Sequence, residues 1–218
     1  MSLKEIIKNF NDKKRISFLK KETFKHNYKF EDVSILSSDC IGGILYHDLG
    51  ERFLSPTINL SFKENGFYCF ILNIKHYVAS DIMVILEDNK IIGKIGGNPL
   101  LTNCPDIYIY FVHYSSIDEA KESWNSRKLR INYDKIRVIC TEKNLTAAKL
   151  DLFNRISYKK VMIYGNVEEG ISIPSSGSFV ESKMIKKQNY HGELLVFKGI
   201  GKKKNFDDLK FNFLAFLQ

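Results

Sequence analysis

The chain reads as an α/β protein built on a mainly parallel sheet flanked by helices. Three observations predict that class. Short apolar, β-branched runs at residues 33–36, 107–113, 137–140 and 160–164 have the length of buried strands. Segments of helical period fall among them, at 116–129 and 145–153. The strand–helix alternation then repeats, which parallel strands joined by crossover helices satisfy most economically. With 218 residues, 44% of them hydrophobic and 27% charged, the chain can bury a core as one large domain or two small ones.

Taken in order, residues 3–22 place Leu3, Ile6, Ile7 and Phe10 at the spacing of an amphipathic helix, and Ile16 and Leu19 again lie three apart. A break is expected near Asn11-Asp12. The polar face is basic, which suits either a helix packed on the domain with its lysines in water or one lying on anionic lipid. Residues 32–38 form the first core strand. It breaks into Ser37-Ser38-Asp39-Cys40, then Gly42-Gly43. After Pro56, residues 57–62 alternate like a second strand. Residues 66–78 are apolar with helical period, and 82–86 read as a helix end or a strand. Asp88-Asn89-Lys90 is a turn, followed by a short strand at 91–95 closed by Gly96-Gly97-Asn98-Pro99. Ser116 and Glu119 form a capping box that opens a helix running to about Leu129. Beyond Gly165 the period weakens, with a brief strand-like run at 194–197 and a terminal amphipathic helix at 206–217. A boundary there divides residues 1–165, an α/β core with its N-terminal helix, from residues 166–218, a C-terminal portion that would join a second, smaller subdomain.

Several classes are disfavoured. No apolar run approaches the roughly 20 residues of a bilayer span. The basic N-terminus lacks the apolar stretch of a secretory signal, so a cytoplasmic protein is expected. Cys40, Cys69, Cys104 and Cys140 contain no CxxC pair, so free thiols are expected and no zinc site. His47 and His76 have no partners at ligand spacing, and no other metal site is expected. The formal charge of +8 suits anionic partners. No nucleic-acid-binding motif is present, and no nucleic-acid partner is expected.

The turn at 37–43 is the first candidate site. Ser37, Ser38, Asp39 and Cys40 are small polar groups able to hydrogen-bond a ligand, and Gly42 and Gly43 can offer backbone N–H groups to a phosphate. The turn matches neither GxxxxGK[ST] nor GxGxxG, and an ordinary strand-to-helix turn accounts for it equally well. His113 and Tyr114 stand where the clearest strand ends, the edge at which open α/β sheets hold ligands. His113 can serve there as a general base or bind a phosphate, or simply bond to backbone. Trp124, Arg127 and Lys128 share a helical face, with Arg130 at the helix end. Arginines suit phosphate, or cap the last carbonyls with Trp124 in the core.

Jointly, these motifs resemble an uncharacterised bacterial family found in capsular and exopolysaccharide biosynthesis loci. The resemblance spans about residues 31–165. It is carried by Ser37, Cys40, Gly42 and Gly43; by Ser55-Pro56-Thr57; by His113-Tyr114; by Glu119, Ala120, Trp124 and Arg127; and by Arg130-Ile131-Asn132. Asp39 stands where the family commonly has asparagine. The resemblance implies a Rossmann-like fold of one or two α/β subdomains and work on surface polysaccharide, with no reaction attached. The first reading is a metal-independent glycosyltransferase that transfers the sugar of a sugar nucleotide to a polysaccharide or lipid-linked acceptor at the inner membrane face, with no cofactor. Arg127, Arg130, Gly42 and Gly43 would neutralise the departing diphosphate. His113 and Asp39 would be catalytic, and Ser37, Ser38, Cys40, Tyr114 and Asn132 would bind the donor. Two readings stay open beside it. One is a polysaccharide O-acyltransferase with His113 as base and Ser37 or Cys40 as nucleophile, though no GxSxG elbow is present. The other is a non-catalytic accessory protein of polysaccharide assembly.

Overall fold

The computed structural model describes residues 3–182, 185 and 211–218, with the backbone alone for 3–9, 11, 12, 14 and 15. The order is α1 (Leu3–His26), β1 (Ser34–Ser37), α2 (Ile41–Leu49), β2 (Leu60–Phe62), α3 (Gly66–Leu72), α4 (Ile74–Ala79), β3 (Ile82–Glu87), β4 (Lys90–Ile95), β5 (Ile107–Phe111), α5 (Ile117–Lys128), β6 (Ile136–Leu145), α6 (Ala147–Arg155), β7 (Lys159–Val167), β8 (Phe179–Glu181) and α7 (Phe213–Leu217). A 3-10 turn, Tyr133–Lys135, precedes β6.

The expected mainly parallel sheet is corrected to two sheets of four strands. One has the order β1-β6-β7-β8 and is parallel throughout; the other, β2-β5-β4-β3, is antiparallel. The reason lies in the connections. Asp88 and Asn89 adopt positive φ, 48° and 58°. That two-residue turn matches the right-handed twist of the flanking strands and folds β3 back on β4 as a hairpin. The whole antiparallel sheet is an insertion between α2 and β6. The expected helix break at Asn11-Asp12 is also absent, since α1 runs through both residues. The strand-like run at 194–197 and residues 206–210 of the expected terminal helix lie outside the described residues, and α7 occupies the end of that helix. β7 passes through residue 165, and β8, from the segment beyond it, joins the same sheet.

Side chains of the parallel sheet alternate between two cores, as period-2 geometry requires. Leu36, Ile136, Val138, Cys140 and Met162 face one side, where they meet Phe67 and Phe70 of α3, Phe153 of α6 and the inner face of the antiparallel sheet. Ile35, Ile139, Val161 and Ile163 face the other, against Ile41 and Leu45 of α2, Leu19 of α1 and the α7 residues. Trp124 is buried in the first core, edge-on to Phe70 at 5.9 Å. The capping box at α5 forms: Ser116 Oγ accepts from Glu119 N at 3.1 Å, while Glu119 Oε2 reaches one residue further back than usual, to Ser115 N at 2.9 Å.

β1 is an edge strand, and side chains seal its open edge. The Tyr46 hydroxyl donates to Val33 O and accepts from Ile35 N, both at 2.8 Å. Thr57 Oγ1 accepts from Ser37 N at 3.1 Å and is itself 2.9 Å from Ser55 Oγ. These bonds tie α2 and the segment 55–57 to the strand and leave no ladder for another chain to extend.

The Gly96-Gly97 turn offers a paired test. A Cβ on Gly97 would fall 2.2 Å from Cys104 O and 2.3 Å from the Pro105 carbonyl carbon, whereas one on Gly96 meets nothing within 4 Å. Backbone cannot yield as a side-chain tip can. Gly97→Ala is expected to lower unfolding free energy by about 3 kcal/mol, and Gly96→Ala to change it by less than about 1 kcal/mol, in urea denaturation of the two variants.

Candidate functional site

β1 ends at Ser37, beside Ile139 of β6, which runs on to Leu145, and the chain leaves the two strands for opposite faces of the sheet. After β1 it enters α2, which packs on one face of the parallel sheet; after β6 it enters α6, which packs on the other. Such a divergence leaves a crevice that neither helix covers. A cleft of about 320 Å³ opens there. Ser38 and Asp39 line it from the end of β1, Thr141, Glu142 and Lys143 from the part of β6 that extends past β1, Lys149 from α6, and Glu64 and Tyr68 from the inserted segment.

The cleft wall is held by a charged network. The Tyr68 hydroxyl donates to Glu142 Oε1 at 2.8 Å, and Lys149 Nζ donates to Glu142 Oε2 at 2.5 Å. The Glu142 side chain is only 12% exposed, so its charge needs this pairing. Burial, reinforced by the neighbouring Cys140 and Glu142, pushes the Tyr68 hydroxyl far above the usual phenol range. It therefore serves as a donor at every physiological pH. Burial likewise pushes the Cys140 thiol well up, which makes it inert. The arrangement presents two lysine ammonium groups, one of them paired with Glu142, beside the three carboxylates of Asp39, Glu64 and Glu142 in a partly closed cleft, which suits a ligand carrying hydroxyl groups.

The turn at 37–43 meets this cleft along one side only. Ser38 accepts from Thr141 N at 2.9 Å through Oγ and donates N–H to Ile139 O at 3.1 Å, clamping the end of β1 to β6. Asp39 Oδ1 accepts from Ile41 N at 2.9 Å. Ser37 is fully buried; its hydroxyl donates to Asp39 O at 2.7 Å and accepts from Gly42 N at 3.0 Å. The first N–H groups of α2 are thus taken by their own turn. Both glycines permit close packing. A Cβ on Gly42 would sit 2.6 Å from Ser37 Oγ, and one on Gly43 3.2 Å from Ile58 Cγ2.

The other sequence-derived candidates group beside the turn, outside the cleft lining. Cys40, the N-cap of α2, has its Sγ 3.8 Å from Nε2 of exposed His113. The Tyr114 hydroxyl donates to Ile58 O at 3.1 Å and accepts from Arg127 Nη1 at 2.6 Å. The Arg127 guanidinium lies 5.3 Å from the centre of the Phe53 ring and 5.9 Å from that of Tyr114. Arg130 stays on its own helix end, with Nη2 3.4 Å from Ser126 Oγ. Asn132 is not brought to this end of the sheet at all. Its N–H donates to Ser34 Oγ at 2.8 Å, and its side chain caps the 3-10 turn by accepting from Asp134 N at 3.2 Å. Ser34 opens β1 and Ser37 closes it, so Asn132 lies about 10 Å from the cleft end of the strand.

Sequence reasoning missed Tyr68, Glu142, Lys143 and Lys149. Tyr68 was hidden in an apolar helical run. The strand signal at 137–140 stopped short of Glu142 because polar residues follow, although β6 continues to Leu145. The usable signal was the polar Thr141-Glu142-Lys143 stretch directly after a buried strand. Among the described residues, no group of three or more His, Cys, Asp or Glu side chains is placed to hold a metal ion. No described helix is long and apolar enough to cross a membrane.

Tyr46, Tyr68 and Tyr77 are all buried, and burial raises each phenol well above its ordinary pKa. An unfolded tyrosine ionises near pH 10, whereas these cannot do so while folded. The stability they contribute is whole below pH 10 and is lost as pH rises beyond it, because the unfolded state then binds fewer protons. Urea denaturation should show unfolding free energy falling by up to about 4 kcal/mol per pH unit above pH 10. Tyr68→Phe should make that slope shallower by about one third.

The family model described as a domain of unknown function, DUF1919, matches residues 8–218 of the chain. An uncharacterised protein of Haemophilus influenzae is 26% identical over 200 residues, which cover 91% of each of the two chains.

Proposed function

The chain belongs to the DUF1919 family, and from that premise we propose that it is a metal-independent glycosyltransferase of surface-polysaccharide assembly, drawing a sugar nucleotide into the β1–β6 cleft. We read its parallel sheet as one Rossmann-like half. The observation that carries this reading is the position of the cleft: it lies beyond the carboxyl end of β1, along the part of the parallel strand β6 that extends past it, and the helices following the two strands pack on opposite faces. Lys143 and Lys149 supply the positive charge that a departing diphosphate requires, the role first expected of Arg127 and Arg130. Glu142, fixed by Tyr68 and Lys149, orients Lys149 rather than reacting. Asp39, at the cleft wall, is placed to take the proton of an acceptor hydroxyl. The setting in polysaccharide assembly rests on the motif resemblance alone.

A second reading has one observation in its favour, the approach of Cys40 Sγ to His113 Nε2. In an acyltransferase the Cys40 thiolate would attack an acyl thioester, the carrier thiolate would leave, and the imidazole would hold the proton taken from Cys40.

Melting curves recorded with a panel of sugar nucleotides and with acetyl-coenzyme A separate the two. A donor present at a hundredfold excess over its Kd should stabilise the protein by about 2.7 kcal/mol. Lys143→Ala, an exposed substitution, should weaken that donor about tenfold. Arg127→Ala should leave donor affinity near its starting value, since Arg127 holds Tyr114 outside the cleft. Stabilisation by acetyl-coenzyme A alone, removed by Cys40→Ala, would transfer the case to acyl transfer. No shift with any sugar nucleotide would sink the donor reading.

A further inference from the structure

Helix α1 carries a feature that the cleft does not use. It is 24 residues long. Leu19, 5% exposed, packs it into the core shared with Ile41 and Leu45 of α2. The opposite side is aromatic and basic. Phe24 is 91% exposed, Phe10 56% and Phe18 38%. Lys13, Lys20, Lys21 and Lys25 are exposed as well. At 100° per residue, these seven positions fall within an arc of about 160° centred opposite Leu19. Glu22 lies off that arc beside Phe18; it reaches Lys25 at 3.9 Å and His26 at 3.5 Å, so only one of the four lysines shares its charge.

We propose that this face of α1 docks the protein on an anionic lipid bilayer. The occupant follows from charge and from shape. Four ammonium groups on flexible stems can rise to the headgroups while three phenyl rings enter the interfacial layer beneath them, the disposition of a helix lying in the membrane plane. A phenyl ring that is nine-tenths exposed has no role in the fold, and burying it in the interface supplies affinity that charge alone does not. A polyanion such as duplex nucleic acid would use the lysines and leave the rings in water, so the three phenylalanines decide for lipid. The inference stands apart from the sugar-nucleotide reading and survives its failure.

Phe24→Trp provides the probe. The natural chain has a single tryptophan, Trp124, buried at 1% exposure, so its emission stays constant while the new indole reports on α1. Titration of the full-length variant with vesicles of equimolar phosphatidylcholine and phosphatidylglycerol should shift its emission to the blue, and brominated lipid should quench it. Vesicles of phosphatidylcholine alone should do neither. Replacing Lys20 and Lys21 by Gln should weaken binding by about 25-fold, each surface lysine accounting for roughly fivefold. Phe24→Ala, followed by flotation with the same vesicles, should weaken it by about tenfold. Both sites are exposed, and unchanged melting temperatures would confirm that the variants remain folded. Absence of a shift with anionic vesicles overturns the proposal. So does equal partition into phosphatidylcholine, and so does binding to duplex DNA that is tighter than to the anionic vesicles.

Discussion

The sealing of the open edge of β1 is the constraint from which the rest of the site follows. A four-residue strand at the margin of a parallel sheet has backbone groups pointing away from β6, its one partner among the described residues. Here one tyrosine hydroxyl bridges Val33 O and Ile35 N, and one threonine hydroxyl takes Ser37 N. Leaving such buried groups unpaired would cost about 1–3 kcal/mol each. Tyr46 comes from the middle of α2 and Thr57 from the segment entering β2. Satisfying the strand therefore fixes the helix that follows it and the start of the inserted sheet in one step. The close approach of α2 is what excludes a side chain at Gly42 and crowds one at Gly43.

Once α2 is held on one face, the position of α6 determines where a ligand can enter. Phe153 of α6 packs edge-on to Phe179 of β8 at 5.2 Å, with Lys160 Nζ 4.9 Å from the centre of its ring, on the face away from α2. The carboxyl end of β1 and the stretch of β6 that extends past it are left uncovered between the two helices. Glu142, Tyr68 and Lys149 then form a wall in which each charge has a partner, so a partly buried carboxylate can persist. The inserted sheet contributes to this wall as well as to the core, because Tyr68 lies on α3 between the two sheets. Removing the insertion would take away the donor that holds Glu142 Oε1 as well as most of the first core.

Much of this architecture was legible in the sequence, and the failures have physical reasons. The period of 33–36, 107–113 and 145–153 gave the correct elements because each buries a side that periodicity reports. The capping box at Ser116 was legible because its bonds are local. Strand direction was not: an alternating run looks the same in either orientation, and only the positive φ of Asp88 and Asn89 reveals the hairpin. The length of β6 was underestimated because its last residues face a cleft and are polar. The turn at 37–43 was correctly located, but its small residues had two equivalent explanations. Ser37, Gly42 and Gly43 are used in packing, and Ser38 and Asp39 lie at the cleft. Asn132 was expected at the site through the Arg130-Ile131-Asn132 motif of the resemblance, whereas the connection into β6 carries it to the far end of the sheet.

Helix α2 connects the two surfaces that matter most. Its N-terminus grows out of the turn containing Asp39, and its apolar side, through Ile41 and Leu45, shares a core with Leu19 of α1. Nine residues of helix span only about 14 Å. A rigid link that short lets the lysine- and phenylalanine-bearing face of α1 define how the cleft is presented to its surroundings. If α1 lies on lipid, α2 stands between the bilayer and the parallel sheet, and the β1–β6 crevice is held at a set height and tilt rather than tumbling freely. An acceptor anchored in that bilayer would then reach Asp39 by diffusion in two dimensions. A donor would arrive from water on the side of Lys143, which is exposed. Sealing β1 with Tyr46 thus has a second consequence: the hydroxyl that satisfies the strand also fixes the helix through which α1 is joined to the cleft.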